Sequence, residues 1–145
     1  MPFIRILAMI ASLAALLAPS VAALPQNAPT NASSVEDEPK LLGIWRGDSL
    51  WVEKGTACHD EVAVYRIAAI PGKRGFLMVT GGKVVDGKEI AMGSGEWRYD
   101  TGKRTLTGEL PRGVITLKLD GDKLEGAFVL PDKTLLRRIT VKKSD

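Results

Sequence analysis

Turn-forming residues recur at short intervals along the second half of this chain, and they restrict the fold more than any other feature. The signals are Pro71-Gly72, Gly81-Gly82, Asp86-Gly87, Asp100-Thr101-Gly102, Pro111-Arg112-Gly113, Asp120-Gly121-Asp122 and Pro131-Asp132. Each supplies a fixed φ or a residue that tolerates positive φ. The stretches between them alternate apolar with polar residues, the mark of half-buried strands. Residues 113–120 put Ile115, Leu117 and Leu119 on one face and Thr116 and Lys118 on the other. Leu106, Gly108 and Leu110 oppose Thr105, Thr107 and Glu109, and Leu124, Gly126, Phe128 and Leu130 share a face. Successive strand side chains point to opposite faces, so each strand has a dry side and a wet side. The short turn at Asp120-Gly121 makes its flanking strands a hairpin.

Earlier strands are expected near 42–52, 61–70, 75–80, 88–93 and 95–100, and a last one over 134–142. Residues 61–70 (EVAVYRIAAI) have a composition that also suits a short helix, but β-branched and aromatic residues at Val62, Val64, Tyr65 and Ile67 favour strand. No other segment reads as an amphipathic helix of several turns. Eight or nine short strands in an open sheet would leave two exposed edges and an uncovered face; closure removes both problems. The expectation is an all-β domain, a single small antiparallel up-and-down β-barrel of about eight strands. A two-sheet sandwich is the alternative.

The N-terminus reads differently. Arg5 precedes an uncharged run from Ile6 to Ala18, rich in Leu, Ile and Ala and shorter than the ~20 apolar residues of a spanning helix. Pro19 follows, and then the small residues Ser20 and Ala22. This is the pattern of a cleavable signal peptide over 1–22, and it implies a periplasmic or secreted protein with no stable membrane span in the mature chain. Residues 23–40 are rich in proline and small polar residues, with a short acidic cluster, and are expected to be a disordered leader. The barrel domain then occupies 41–145.

The chain of 145 residues has a net charge of +3 with its charges interspersed, which suits an ordinary soluble surface better than a nucleic-acid footprint. The single cysteine, Cys58, means that no disulfide framework staples the fold. It is expected to be either a small buried residue or a thiol free for intermolecular pairing.

The two ends of the domain hold its most informative residues. Gly43-x-Trp45 opens the first strand, where the glycine admits a close entry that turns the indole under the barrel base. Arg137 shares strand parity with Leu135, Ile139 and Val141. Burying a lone guanidinium costs several kcal/mol unless it is paired or hydrogen-bonded. Since first and last strands are neighbours in a closed barrel, Arg137 is expected over the Trp45 ring as a barrel-closing pair. The alternatives are an outward Arg137 with Arg138 as the odd residue, or a parity slip at a bulge. With the Gly43-x-Trp45 opening, the meander of short strands and the late-strand arginine, the segment 41–145 resembles the calycin group: lipocalins, avidin-like proteins and their bacterial lipocalin-like relatives. The chain departs from lipocalins in its shorter core, in lacking the Thr-Asp-Tyr-type middle motif and in having no helix after the barrel. Its length is nearer to avidin-like barrels and to small bacterial protease inhibitors of this architecture. None of the biotin contacts of avidins can be placed on it.

Catalytic chemistry finds little support. The one His and the one Cys are adjacent, and on a strand they would point apart. No nucleophile, hydrolase or phosphate-cradling motif is present, and zinc would need more ligands. Asp120-Gly121-Asp122 begins like a calcium loop but lacks its later ligands. No catalytic residue, metal or cofactor is expected. Binding is the better class: Trp51, Trp97, Tyr99 and Tyr65 can line a cavity or form a contact patch, with core filling as the plain alternative. The first functional expectation is a lipocalin-like barrel that binds a small, partly apolar ligand in its mouth. The second is an inhibitor or adaptor that binds an exported enzyme through its loops or its N-terminal segment, suited by small size, the absence of catalytic groups and the flexible 23–40 leader.

Overall fold

Alternation in the sequence becomes alternation in burial. In a computed structural model that describes residues 33–144, with side chains from Asp37 onward, eight antiparallel strands close into an up-and-down barrel. The strands are β1 (Gly43–Trp51), β2 (Glu61–Ala69), β3 (Phe76–Val85), β4 (Lys88–Asp100), β5 (Thr105–Leu110), β6 (Gly113–Asp120), β7 (Lys123–Val129) and β8 (Leu135–Ser144). Each pairs with its sequence neighbours, and β1 pairs with β8 to close the ring. β6 is buried at every second residue, with Ile115, Leu117 and Leu119 inward as expected. Glu61–Ala69 is strand, not helix. The signal sequence expected over 1–22, and residues 23–32 of the leader, lie outside the described residues.

Two sequence expectations are corrected. The leader is helical from Ser33: α1 (Ser33–Leu41) covers one end of the barrel. Pro39 removes a helical hydrogen bond in a helix of only nine residues. The helix leans instead on its contacts with the barrel, through the fully buried Leu41 and the buried Asp37. Gly81-Gly82 is not a turn. It sits inside β3 at a register shift of the β3–β4 ladder, while the chain reverses at Asp86-Gly87, where both residues have positive φ. The Asp-Gly pair supplies the left-handed geometry that a two-residue hairpin needs, so β3 and β4 run together as one long hairpin and 88–100 is a single strand. Of the two alternatives for Cys58 the buried one is excluded: the residue is exposed on the β1–β2 loop.

The core is one continuous cluster that runs from Leu41 through Trp45, Tyr65, Leu77, Trp97, Leu106, Leu117 and Leu124 to Val141. Trp97 and Tyr65 pack with ring centroids 5.8 Å apart, tilted by 58°, within the range in which aromatic pairs attract. Opposite them Gly108 leaves room that only glycine can leave: a Cβ there would lie 2.1 Å from Trp97 Cε2. The core layer therefore depends on one missing side chain.

The barrel wall is uneven. Seven neighbouring pairs have long ladders, but β4 meets β5 only over Arg98–Asp100 and Thr105–Thr107. Residues 88–97 of β4 have no ladder partner on that side, and beside Gly93 and Gly95 there is open space.

Candidate binding site at the open end of the barrel

Antiparallel pairing sends the start of β1 to the end of β8. Trp45 lies opposite Lys143, and Trp51 opposite Arg137. The expected Trp45–Arg137 pair is thereby corrected: the two residues sit at opposite ends of the barrel. Adjacency of the first and last strands was the right premise, but strand direction decides which residues meet. Lys143 Nζ stands 5.7 Å from the Trp45 ring centroid, and the Arg137 guanidinium 4.9 Å from that of Trp51. Arg137 does face inward, as its parity predicts, while Arg138 is exposed.

At the end covered by α1, the indole, the cations and the carboxylate take partners from the chain itself, while the Tyr99 hydroxyl is enclosed without one among the described residues. Gly43, at φ +123, admits the chain, and Trp45 is 1% exposed beneath the helix. The Trp45 indole N–H donates to the Leu41 carbonyl at 2.8 Å. Lys143 Nζ donates to the Lys40 carbonyl at 2.8 Å. Asp37 takes Lys40 at 3.0 Å on one oxygen and Arg104 at 2.9 Å on the other. The hydrogen bond from Lys40, helped by the nearby Arg104 charge, holds the Asp37 carboxyl below its ordinary range even though burial opposes it. Burial pushes the neighbouring Tyr99 phenol up.

The opposite end repeats these ingredients, and no described residue covers them. Trp51, Glu61, Lys83 and Arg137 carry their side chains toward the barrel axis at its rim. Arg137 Nη1 donates to the Ser49 carbonyl at 3.1 Å and to Ser49 Oγ at 3.3 Å. Nη2 reaches the His59 carbonyl and Glu61 Oε2, both at 3.4 Å. Glu61 is held more closely by Lys83, at 3.0 Å. Asp60 turns to the backbone, where its Oδ1 accepts the Trp51 N–H at 2.7 Å. The Trp51 indole N–H is enclosed and has no acceptor among the described residues. Tyr65 lies below, its phenol pushed up to about 12 by burial, with Arg137 pulling it down and Glu61 pushing it up.

Of the four aromatic residues expected to bind, three are core. Tyr65, Trp97 and Tyr99 are each under a tenth exposed and belong to the continuous cluster. Only Trp51 stands half-buried at the rim. Phe128 is packed against the same core. Two grooves mark the wall, and the residues facing both are mostly outward-pointing. The larger, about 770 Å³, crosses β6, β7 and β8 and includes Lys118, Glu125 and Arg138. The smaller crosses β1, β2 and β3.

The pattern that sequence reading missed concerns exposed apolar residues. Among the described residues, the large hydrophobic side chains left most exposed are Leu50, Val52, Val62, Val85, Ile90, Met92, Leu110 and Val114. All of them lie in the half of the barrel away from α1. Met92 is the extreme at 65%, followed by Ile90 at 47%, both on the unpaired stretch of β4. Scattered exposed apolar residues are normal on any surface, but a gathering of them at one place marks an interaction site. Their common feature is proximity to the ends of β1, β3 and β5 and the beginnings of β2, β4 and β6. Only a known topology brings those positions together.

Among the described residues no group of three or more His, Cys, Asp and Glu side chains could hold a metal ion. Cys58 and His59 are both exposed on the β1–β2 loop, and the His59 contribution to the site is its backbone carbonyl. No protein-family model matches the chain, and no curated protein matches it.

Proposed function

We propose that this chain is an exported protein-docking module, an inhibitor or adaptor of an exported enzyme, and that it engages its partner with the open end of the barrel. The carrying observation is that the exposed large apolar side chains among the described residues all lie in the half of the barrel away from α1, on a barrel whose axis is occupied by its own core. An apolar rim around partly desolvated charged groups is the usual composition of a contact surface, in which burial supplies affinity and charge supplies selectivity. The fold agrees with a calycin-like barrel, and small exported inhibitors of that architecture are the nearest functional analogy, drawn at the level of fold. The export signal read at 1–22 would place the partner in the periplasm or the medium.

Replacing Ile90 and Met92 together by serine tests this reading. Both side chains are already exposed, so stability should change by less than about 0.5 kcal/mol. Capture of a partner from periplasm or culture medium by the immobilised protein should be lost. Undiminished capture by the double variant would remove the rim from the interface.

The second reading, carriage of a small, partly apolar ligand, draws on Trp51. It is the one member of the aromatic set placed where an entering molecule would meet it. Tryptophan fluorescence titrated with lipids and aromatic compounds distinguishes the two: a carrier shows saturable change with a small molecule alone, and a docking module does not.

A further inference from the structure

The seam between β4 and β5 leaves one strand edge without a partner. A closed barrel ordinarily pairs both edges of every strand, yet β4 meets β5 only over Arg98–Asp100, and its residues 88–97 are paired with β3 alone. Which backbone groups are left over follows from parity. The Tyr99 N–H points to the Gly75 carbonyl on the β3 side at 2.8 Å, so the groups of Glu96 and Ser94 point the other way. The register shift at Gly81-Gly82 leaves one extra residue on β4 and resets the alternation. Val85 and Lys88 then flank the two-residue turn as a hydrogen-bonded pair, so the groups of Ala91 and Glu89 also point outward. Glu89, Ala91, Ser94 and Glu96 therefore present N–H and C=O groups at strand spacing without a partner among the described residues. Proteins ordinarily blunt such an edge with proline or with a covering segment. This stretch contains no proline, and residues 88–94 are all exposed.

A row of free N–H and C=O groups at this spacing is complementary to one kind of occupant, another extended backbone. The two faces of the strand define its side chains. Glu89, Ala91, Ser94 and Glu96 lie opposite Val84, Gly82, Thr80 and Met78, so the outer face carries two carboxylates. Ile90, Gly93 and Gly95 lie opposite Lys83, Gly81 and Val79, on the face turned toward the core. A Cβ on Gly93 or Gly95 would meet nothing within 4 Å, so that face is hollow beside the exposed Ile90 and Met92. From this geometry we infer that β4 receives a strand from the docking partner: an extended segment, apolar on one face and basic on the other, that pairs with the edge from Glu89 to Glu96. Its apolar side chains fill the space over Gly93 and Gly95 against Ile90 and Met92. Its basic side chains lie beside Glu89 and Glu96, which keep Arg66 and Lys73 and have lone pairs left to accept a further cation. Backbone pairing supplies the affinity of such a contact, and the alternation of side chains supplies its selectivity. This deepens the docking reading and rests on it for the partner, but the strand chemistry can be tested without one.

Amide hydrogen exchange, resolved by NMR, would be followed on the purified protein alone and with a short, end-blocked peptide of alternating valine and lysine. The amides of Glu89, Ala91, Ser94 and Glu96 should exchange freely in the protein alone and slow by about tenfold or more at saturating peptide. The same peptide with its amides N-methylated cannot pair as a strand and should protect none of them. A peptide of alternating valine and glutamate should bind more weakly by about tenfold, since like charges then face each other across the strands. Ala91→Pro removes an outward N–H and no ladder bond, a change that edge strands tolerate, and should weaken peptide binding by about tenfold or more. The N-methylated peptide keeps the inference falsifiable should that variant fail to fold. Equal protection by the N-methylated peptide, no saturable protection, or equally tight binding of the glutamate peptide would overturn the inference. So would slow exchange of these amides in the protein alone, the result expected if a second copy or residues 23–32 already cover the edge. Ala91→Pro keeps the Ile90 and Met92 side chains, so the two readings fail separately. Partner capture lost on serine replacement of Ile90 and Met92 but kept by Ala91→Pro retains docking and overturns strand addition. Peptide protection together with capture undiminished by the serine replacements retains the strand-accepting edge and overturns the docking reading.

Discussion

The two ends of this barrel are built from the same parts and finished differently. Each has a tryptophan from β1 under a cation from β8: Trp45 with Lys143 at one end, Trp51 with Arg137 at the other. Each also has a carboxylate shared by two cations: Asp37 between Lys40 and Arg104, Glu61 between Lys83 and Arg137. At the first end α1 closes over the set, Leu41 is fully buried and the indole N–H finds a backbone carbonyl. At the second no described residue closes over the set, the indole N–H has no acceptor among the described residues, and the exposed large apolar residues lie in that half of the barrel. Where the chain supplies its own cover, such a constellation is structural.

The largest expected difference between the ends is in stability. Leu41→Ala removes a fully buried side chain from the seal and should destabilise the protein by about 2–5 kcal/mol in a denaturant titration. Met92→Ala at the open end should change it by less than about 0.5 kcal/mol. Comparable losses would mean that the open end is as much a part of the folded core as the capped one.

The tryptophans give a second, smaller contrast. Trp45→Phe strands the Leu41 carbonyl and loses a buried hydrogen bond, a loss of about 1–3 kcal/mol. Trp51→Phe removes an N–H that had no partner, so its effect on urea unfolding should be well under that of the first. A larger loss at Trp51 would show that its N–H is satisfied in solution by something the folded chain depends on.

Acid should act on one end first. The Asp37 carboxyl titrates below its ordinary value of 3.8 in the folded protein. The stabilisation it provides is therefore fully present above the unfolded value, near pH 4, and is lost as pH falls through the lower folded value. Fluorescence of Trp45 should report release of α1 over that window, and Asp37→Asn should flatten the transition. At the alkaline extreme the sign reverses for Tyr65. Its phenol is raised to about 12, so the associated stability is complete below pH 10, the ordinary value, and is lost as pH rises from there to about 12. Phenolate absorbance that appears in full near pH 10 would show that Tyr65 is not enclosed.

The smallest effect concerns the seam. Along residues 88–97 of β4, amides that point to β3 are in a ladder and those that point toward β5 are not. Hydrogen exchange should be alternately slow and fast there, with no such alternation in β6, which is paired on both sides. Protection of the fast set on addition of a partner would extend the contact surface from the rim to this edge.

Sequence by itself determined the all-β class, most of the strand positions and the inward parity of Arg137. Those depend on period and turn chemistry, which are local. Asp120-Gly121 and Asp86-Gly87 reverse the chain wherever they occur, and Ile115, Leu117 and Leu119 share a face in any strand. The tertiary structure alone decided which Trp meets Arg137, because strand direction matters as much as strand adjacency. It also decided that Gly81-Gly82 bends a strand instead of ending it, and that 33–41 is a helix. A nine-residue helix containing a proline gains its stability from the barrel it covers, not from its own composition. The open end is non-local in the same way. Leu50, Val62, Val85, Met92, Leu110 and Val114 are separated along the chain and each is unremarked in its own strand. Closure of the ring places them in one half of the barrel, away from the end that α1 covers.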